Sequence, residues 1–342
     1  MTAPLEGTAV QTPAGTPAGR RGRRTADVPA LVAGAREGDA RSVARLISLV
    51  EDASPALREV AAALSPHTGH AQVIGLTGSP GVGKSTTTTA LVRAFRKAGK
   101  RVGVLAVDPS SPFSGGALLG DRVRMQDHAG DSGVYIRSMA SRGHLGGLAW
   151  STPQALRVLD AAGCDVVLIE TVGVGQSELE IASLADTTLV LVAPGMGDGI
   201  QAAKAGILEV ADLFVVNKAD RDGADTTVRD LRYMQSLGGR HSEPGHWRPP
   251  ICRTVASRET DNGIDGVLDK IEEHRGWLES SGEGRRRREE RAAREIEAIA
   301  LASLRARMGD VHGSAALGSL AGTVVAGETD PFRAADELLA RL

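Results

Sequence analysis

Between residues 72 and 256 the chain alternates short unbroken apolar runs with longer stretches whose apolar residues recur every three or four positions. The runs are Val73 to Thr77, Arg101 to Val107, Val134 to Arg137, Asp165 to Thr171, Thr187 to Val192, Leu213 to Asn217 and Ile251 to Ala256. Because they are continuous rather than alternating, both faces of each strand must be covered. Helical spacing marks Thr86 to Ala98, Thr152 to Ala162, a stretch near Ile200 to Glu209 and another near Thr226 to Leu237. Strands that alternate with helices predict an α/β fold, a mostly parallel sheet covered by helices, with ligand at the carboxyl ends of the strands.

Both ends of the chain read differently. Residues 1–26 are rich in Pro, Gly, Thr and Ala and end in Arg20, Arg21, Arg23 and Arg24. That is the composition of a disordered tail; a transit peptide is the alternative, though no amphipathic face is evident. Residues 27–70 predict a helical extension of two helices. The first starts at Asp27-Val28-Pro29, with Gly34 and Gly38 interrupting its stripe, and the second opens at Ser54-Pro55 and runs to about Leu64. The stripe could pack on the sheet domain of residues 71–279 or on a partner. Beyond a helix from Gly263 to about Leu278, the run Ser280-Ser281-Gly282-Glu283-Gly284 reads as a linker. Residues 280–342 then carry a charged helix, Arg285 to Met308, and two short helices. Too small to bury a core alone, this extension is expected to pack on a second subunit or back on its own domain.

Composition narrows the classes. A net charge of −2 over 342 residues and 3% aromatics leave no field and few rings for nucleic acid. No stretch reaches the roughly 18 apolar residues of a membrane helix. Cys164 and Cys252 lie in apolar surroundings without a C-x-x-C pair, as expected of reduced core thiols in the cytoplasm, or in the mitochondrial matrix if the tail is a transit peptide. Arg285 to Arg288 are followed by Glu289 and Glu290, so they read as a solvated helix face rather than a nucleic-acid patch.

Chemistry concentrates where the runs end. After the first run, Gly78-Ser79-Pro80-Gly81-Val82-Gly83-Lys84-Ser85 matches G-x-x-x-x-G-K-[ST], the P-loop pattern, at every fixed position, and Thr86 continues into the helix. Backbone N–H groups of such a loop close on phosphate oxygens, the lysine reaches the β- and γ-phosphates, and the hydroxyl ligates Mg²⁺. Glu170 closes another run ahead of Thr171-Val172-Gly173, where a carboxylate can hold Mg²⁺ through water and the Gly173 N–H can meet a γ-phosphate. Val174 stands where Ras-like enzymes carry a water-orienting glutamine, so the candidates for that task are Asp108, Glu170 and Gln176, and unaided hydrolysis should be slow. Asp108 and Asp121 could share the metal. Asn217-Lys218-Ala219-Asp220 selects GTP over ATP, because a carboxylate at Asp220 can accept from both guanine N1–H and the 2-amino group. Val255, Ala256 and Ser257 follow the last run, where backbone contacts to guanine O6 are expected. The residues themselves predict a Mg²⁺-dependent GTPase.

The strings GSPGVGKST, LAVDPSS, GGALLGDRVRM, LGGLA, ETVGVGQSE and NKAD resemble the MeaB/ArgK family of GTPases, which includes the mitochondrial methylmalonic aciduria type A protein. The resemblance runs from about Val32 to the C-terminus. It implies that GTP binding and hydrolysis gate adenosylcobalamin loading and protection of methylmalonyl-CoA mutase or a related cobalamin-dependent acyl-CoA mutase. It also implies a homodimer, with Lys84 and Ser85 as phosphate-loop ligands, Asp108, Asp121 and Glu170 around Mg²⁺, and Lys204 signalling in a switch at Ala193 to Lys204. Val255 departs from the serine common in GTPases. Two other readings stand beside it: a protein kinase of amino-acid transport, which N-K-x-D disfavours, and a nickel-insertion GTPase, which would need a His/Cys cluster that is not evident in the sequence.

Overall fold

The computed structural model describes residues 26–52, 54–108, 128, 130–140, 151–171, 177–195, 210–237, 245–308 and 315–340. Three helices come first: α1 (Val28–Arg36), α2 (Ala40–Glu51) and α3 (Leu57–Leu64), followed by a 3₁₀ turn at Ser65–His67. The two-helix expectation is thus corrected. Gly38 takes φ +90°, which ends α1, and the Asp39 carboxylate restarts the chain by accepting from the N–H groups of Arg41 and Ser42 at 3.2 and 3.0 Å. One face of α2 buries Val43, Leu46, Ile47 and Val50 completely or nearly so. At about 1.5–3 kcal/mol for each such side chain, that face alone fixes the helix to what lies beneath it.

What lies beneath is a sheet. Its strands are β1 (Gln72–Thr77), β2 (Val102–Asp108), β3 (Val134–Ala140), β4 (Val166–Thr171), β5 (Thr187–Val192), β6 (Leu213–Val216) and β7 (Ile251–Arg253). They lie in the order β3-β2-β4-β1-β5-β6-β7, with every pair parallel. This is the expected α/β architecture. Between the strands run α4 (Lys84–Lys97), α5 (Thr152–Ala161), α6 (Ser177–Leu184) and α7 (Ala224–Leu237); α8 (Ile264–Ser280) follows β7.

Period two decides which helix each strand residue meets. Val73, Leu105, Val107, Val167 and Ile169 face α1–α3, α5 and α6, so the N-terminal helices pack on this domain. Ile74, Leu76, Val104, Val166 and Leu168 face α4 and α8. Further along the first face, Val190, Phe214 and Val216 meet Val228 and Leu231 of α7. Gly75 is small by necessity, since a Cβ there would crowd Ile181 of α6 and Ala185 just past its end.

Past α8 the expected five-residue linker shrinks to Ser281-Gly282, with Gly282 at φ +76°. Helix α9 (Glu283–Met308) then runs back under the amino ends of the strands. Arg287 grips Asp212 at 3.0 and 3.1 Å, Arg291 donates to Asp186 at 2.7 Å, and Glu295 meets Gln154 and Arg157 of α5. Arg285 and Arg286 pair with glutamates of their own helix, as on a solvated face, but Arg287 departs from that expectation by turning inward to buried Asp212. After Glu295 the helix leaves the domain: Ile296 is 68% exposed, and Ile299, Leu301 and Leu304 are exposed as well. Two further helices, α10 (Ala315–Val325) and α11 (Pro331–Ala340), pack on each other and expose Val325, Phe332 and Leu339. Both cysteines are free; burial pushes the Cys164 thiol up to about 12 and raises that of Cys252. No described helix is long and apolar enough to cross a membrane.

Candidate functional site

The order β2-β4-β1-β5 brings the ends of four strands to one edge, with the loop after β1 in the middle. That loop, Gly78 to Gly83, can exist only with glycine at particular points. Gly78 sits at φ +141°, and a Cβ on it would collide with the carbonyl oxygen of Leu191 in β5. Gly83 caps α4 at φ +97°, and a Cβ there would strike the Asn217 amide. Ser79, Pro80, Gly81 and Val82 complete the turn. Helix α4 therefore starts with its N–H groups aimed at the loop's concave side, where an anion is favoured.

Lys84 and Ser85 open α4 and are both largely buried. The Lys84 ammonium donates to the carbonyls of Gly78 and Ser79 at 2.6 and 3.2 Å, which folds the side chain over the loop. Glu170 lies on the same strand face as Val166 and Leu168, the face that meets α4. It is fully buried. The Ser85 hydroxyl donates to its Oε1 at 2.6 Å and the Thr88 hydroxyl to its Oε2 at 2.9 Å. Thr86 takes the next position of the helix and is exposed.

This donor set fits Mg²⁺. A hydroxyl whose proton points at a carboxylate turns its lone pairs outward, and a hard oxygen pair beside a phosphate loop is what Mg²⁺ takes, with phosphates and water filling the rest. Asp108 ends β2, in register with Ala140 of β3 and on the strand beside β4. Asp121, Gly173, Gln176 and Lys204, named from the sequence, lie outside the described residues. Among the described residues no group of three His, Cys, Asp or Glu side chains could by itself hold a metal.

The base-reading loop is tied to the phosphate loop by one side chain. Asn217 donates to the Val82 carbonyl at 2.8 Å, and its oxygen accepts from the Ala256 N–H and the Thr254 hydroxyl, both at 3.1 Å. Lys218, at φ +56°, donates to the Gly81 carbonyl at 2.6 Å. The strand expected over Ile251 to Ala256 ends at Arg253 for this reason. Thr254 turns its carbonyl to the Ala219 N–H at 3.0 Å, and the Val255 N–H turns to Asn262 at 2.9 Å. Asp220 is 43% exposed at the mouth of this loop, 3.8 Å from Arg258, and Ser257 is exposed beside it. Sequence reasoning passed over Thr88 and Leu191. The spacing of Thr88, three residues past Ser85 and hence one turn along the same face, was the available signal.

Residues 43–311 match the family profile described as "Methylmalonyl Co-A mutase-associated GTPase MeaB". The chain belongs to the MeaB family. A Pyrococcus abyssi protein is 47% identical over 90% of this chain and 95% of its own length. GTPase ArgK of Escherichia coli is 38% identical over 72% of this chain and 76% of its own. The crystal structure of a LAO/AO transport system kinase shares 27% identity, with a TM-score of 0.68 over 92% of this chain and 96% of that one. As a MeaB-family protein the chain is a P-loop GTPase.

Proposed function

We propose that this GTPase requires Mg²⁺ and acts as a G-protein chaperone, its GTP cycle gating adenosylcobalamin loading and protection of methylmalonyl-CoA mutase or a related acyl-CoA mutase. The match of residues 43–311 to a mutase-associated family supports this client, and it is the observation that carries the reading. In the hydrolytic site Lys84 leaves the Gly78 and Ser79 carbonyls for the β- and γ-phosphates, while Asp220 reads guanine and Lys218 covers it. Ser85 would hold Mg²⁺ and Glu170 would hold it through water, with Asp108 and Asp121 as further candidates to share the ion. Bound there, the metal would supply positive charge that offsets the negative charge growing on the phosphate oxygens. Gly173 meets the γ-phosphate, and Asp108, Glu170 or Gln176 positions the attacking water. Lys204 carries the signal to the client.

Helix α9 beyond Glu295, with α10 and α11, presents Ile296, Leu304, Val325 and Phe332 to solvent. Exposed apolar side chains of this kind are what a second copy of the chain would cover, so the working form is a homodimer. The compartment is the cytoplasm, or the mitochondrial matrix if residues 1–26 are a transit peptide.

Mixing the protein with candidate acyl-CoA mutases, with and without GTP, tests the client. A nucleotide-dependent complex and faster GTP hydrolysis are expected with one of them. If no mutase changes either quantity, the chaperone reading is lost and the GTPase remains. The name of the solved relative, a transport system kinase, favours a second reading, phosphoryl transfer to a protein. Recovery of all released phosphate as the free ion would discard it.

A further inference from the structure

We propose that Thr88 is a positioning residue of the magnesium site, acting through Glu170. The proposal deepens the Mg²⁺–GTP reading and rests on it. Thr88 sits in α4 with no exposed surface, one turn beyond Ser85. Its hydroxyl has one proton and two acceptors within reach, the Lys84 carbonyl at 3.1 Å and Glu170 Oε2 at 2.9 Å. The carbonyl is the ordinary acceptor for a threonine inside a helix. The carboxylate is closer and, once ionised, the stronger acceptor.

The consequence is geometric. Ser85 and Thr88 each hold one oxygen of the Glu170 carboxylate from the same helix face, so its plane is fixed by two hydrogen bonds of 2.6 and 2.9 Å. A carboxylate held by one oxygen could still rotate about its terminal bond, where the torsional wells are broad. With both held, the lone pairs that neither hydroxyl uses point along defined directions. The same restraint keeps the Ser85 proton on Oε1, and therefore keeps its lone pairs turned toward the metal position. Thr88 touches neither nucleotide nor metal in this arrangement; it sets the orientation of the carboxylate that would hold the metal through water. Partners that orient a ligating side chain typically contribute about 10- to 100-fold to metal affinity.

The test separates metal affinity from nucleotide affinity. Wild-type protein, Thr88→Val and Thr88→Ser are loaded with a fluorescent guanine nucleotide, and nucleotide release is followed while free Mg²⁺ is titrated. Valine keeps the branched shape in a site with no room to spare, and a thermal melt confirms that each variant is folded. Thr88→Val is expected to raise the half-saturating Mg²⁺ by about tenfold while metal-free nucleotide affinity stays within twofold, and Thr88→Ser is expected to restore the wild-type value. Three outcomes overturn the proposal: an unchanged Mg²⁺ midpoint in Thr88→Val, an equal loss of metal-free affinity, or a serine variant no better than valine. A wild-type protein whose nucleotide release ignores Mg²⁺ overturns the magnesium reading itself, and this proposal with it.

Discussion

Two buried carboxylates stand at opposite ends of the same sheet, and their partners differ in kind. Asp212, just ahead of β6, is 5% exposed and accepts from both nitrogens of the Arg287 fork and from the Thr188 N–H at 2.8 Å, with His274 Nε2 3.3 Å away. Glu170, at the carboxyl end of β4, is 0% exposed and receives the hydroxyls of Ser85 and Thr88. A buried carboxylate closed in by a fixed guanidinium is a strut, because its charge is spent inside the protein. One oriented by hydroxyls keeps the capacity to meet a cation that comes and goes. The amino ends of the strands are thus built for permanence and the carboxyl ends for exchange.

The comparison breaks most visibly at Glu170. Replacing Glu170 with glutamine keeps the shape but removes the charge and one acceptor. GTP hydrolysis measured at fixed Mg²⁺ should fall roughly 100-fold or more, the scale on which single electrostatic contributors act. The thermal midpoint should hold, since the glutamine amide can still hydrogen-bond both the Ser85 and Thr88 hydroxyls. A rate near wild type would place Glu170 with the struts.

The opposite pattern is expected at the other end. Arg287→Ala leaves Asp212 with His274 and Thr188 but without its guanidinium, and should cost about 3 kcal/mol in denaturant unfolding. Hydrolysis per folded molecule should be unchanged, because Arg287 anchors α9 at the edge away from the nucleotide. A selective loss of rate without a loss of stability would show that the two ends are coupled.

Acid sharpens the same contrast. Burial pushes the Asp212 carboxyl up, but hydrogen bonding and charge from His274 and then Arg287 overcome it and hold the group below its usual 3.8. A depressed folded value means stability that is present above the unfolded value and lost as pH falls through the folded one. The penalty of Arg287→Ala should therefore be full at pH 6 and shrink below about pH 4, as Asp212 takes up a proton in both proteins. Unfolding of the pair compared at the two pH values reads this directly. A difference that stays constant into acid would mean that Arg287 acts by packing its stem.

The exchanging end was far more legible in the sequence than the permanent one. Gly78 to Ser85 and Asn217 to Asp220 are contiguous, because a loop that wraps phosphate or base is made of neighbours, and the continuous apolar runs gave the strands directly. Asp212 and Arg287 are 75 positions apart, and Thr88 and Glu170 are 82 apart. No local pattern joins such pairs; only the strand order does. The break at Gly38 was visible as a residue, yet the positive φ that turns an interruption into a helix end depends on how α1 and α2 pack. The early end of β7 follows from hydrogen bonds that Thr254 makes to Ala219 and Val255 to Asn262, so apolar character alone overran it.

A third carboxylate supplies the smallest expected effect and limits how far the comparison extends. Asp220 and Arg258 approach to 3.8 Å, with side chains 43% and 54% exposed. Water screens such a pair, and ordering two long side chains offsets most of the attraction. Arg258→Ala should therefore change unfolding free energy by less than about 0.5 kcal/mol. Preference for GTP over ATP in competition binding should survive, because Asp220, the carboxylate proposed to read the base, is still in place. A loss of about 2 kcal/mol would mean that burial is the wrong axis along which to sort the carboxylates of this protein. A loss of base preference with stability intact would make Arg258 the group that holds Asp220 toward guanine, and would move this surface pair into the exchanging set beside Glu170.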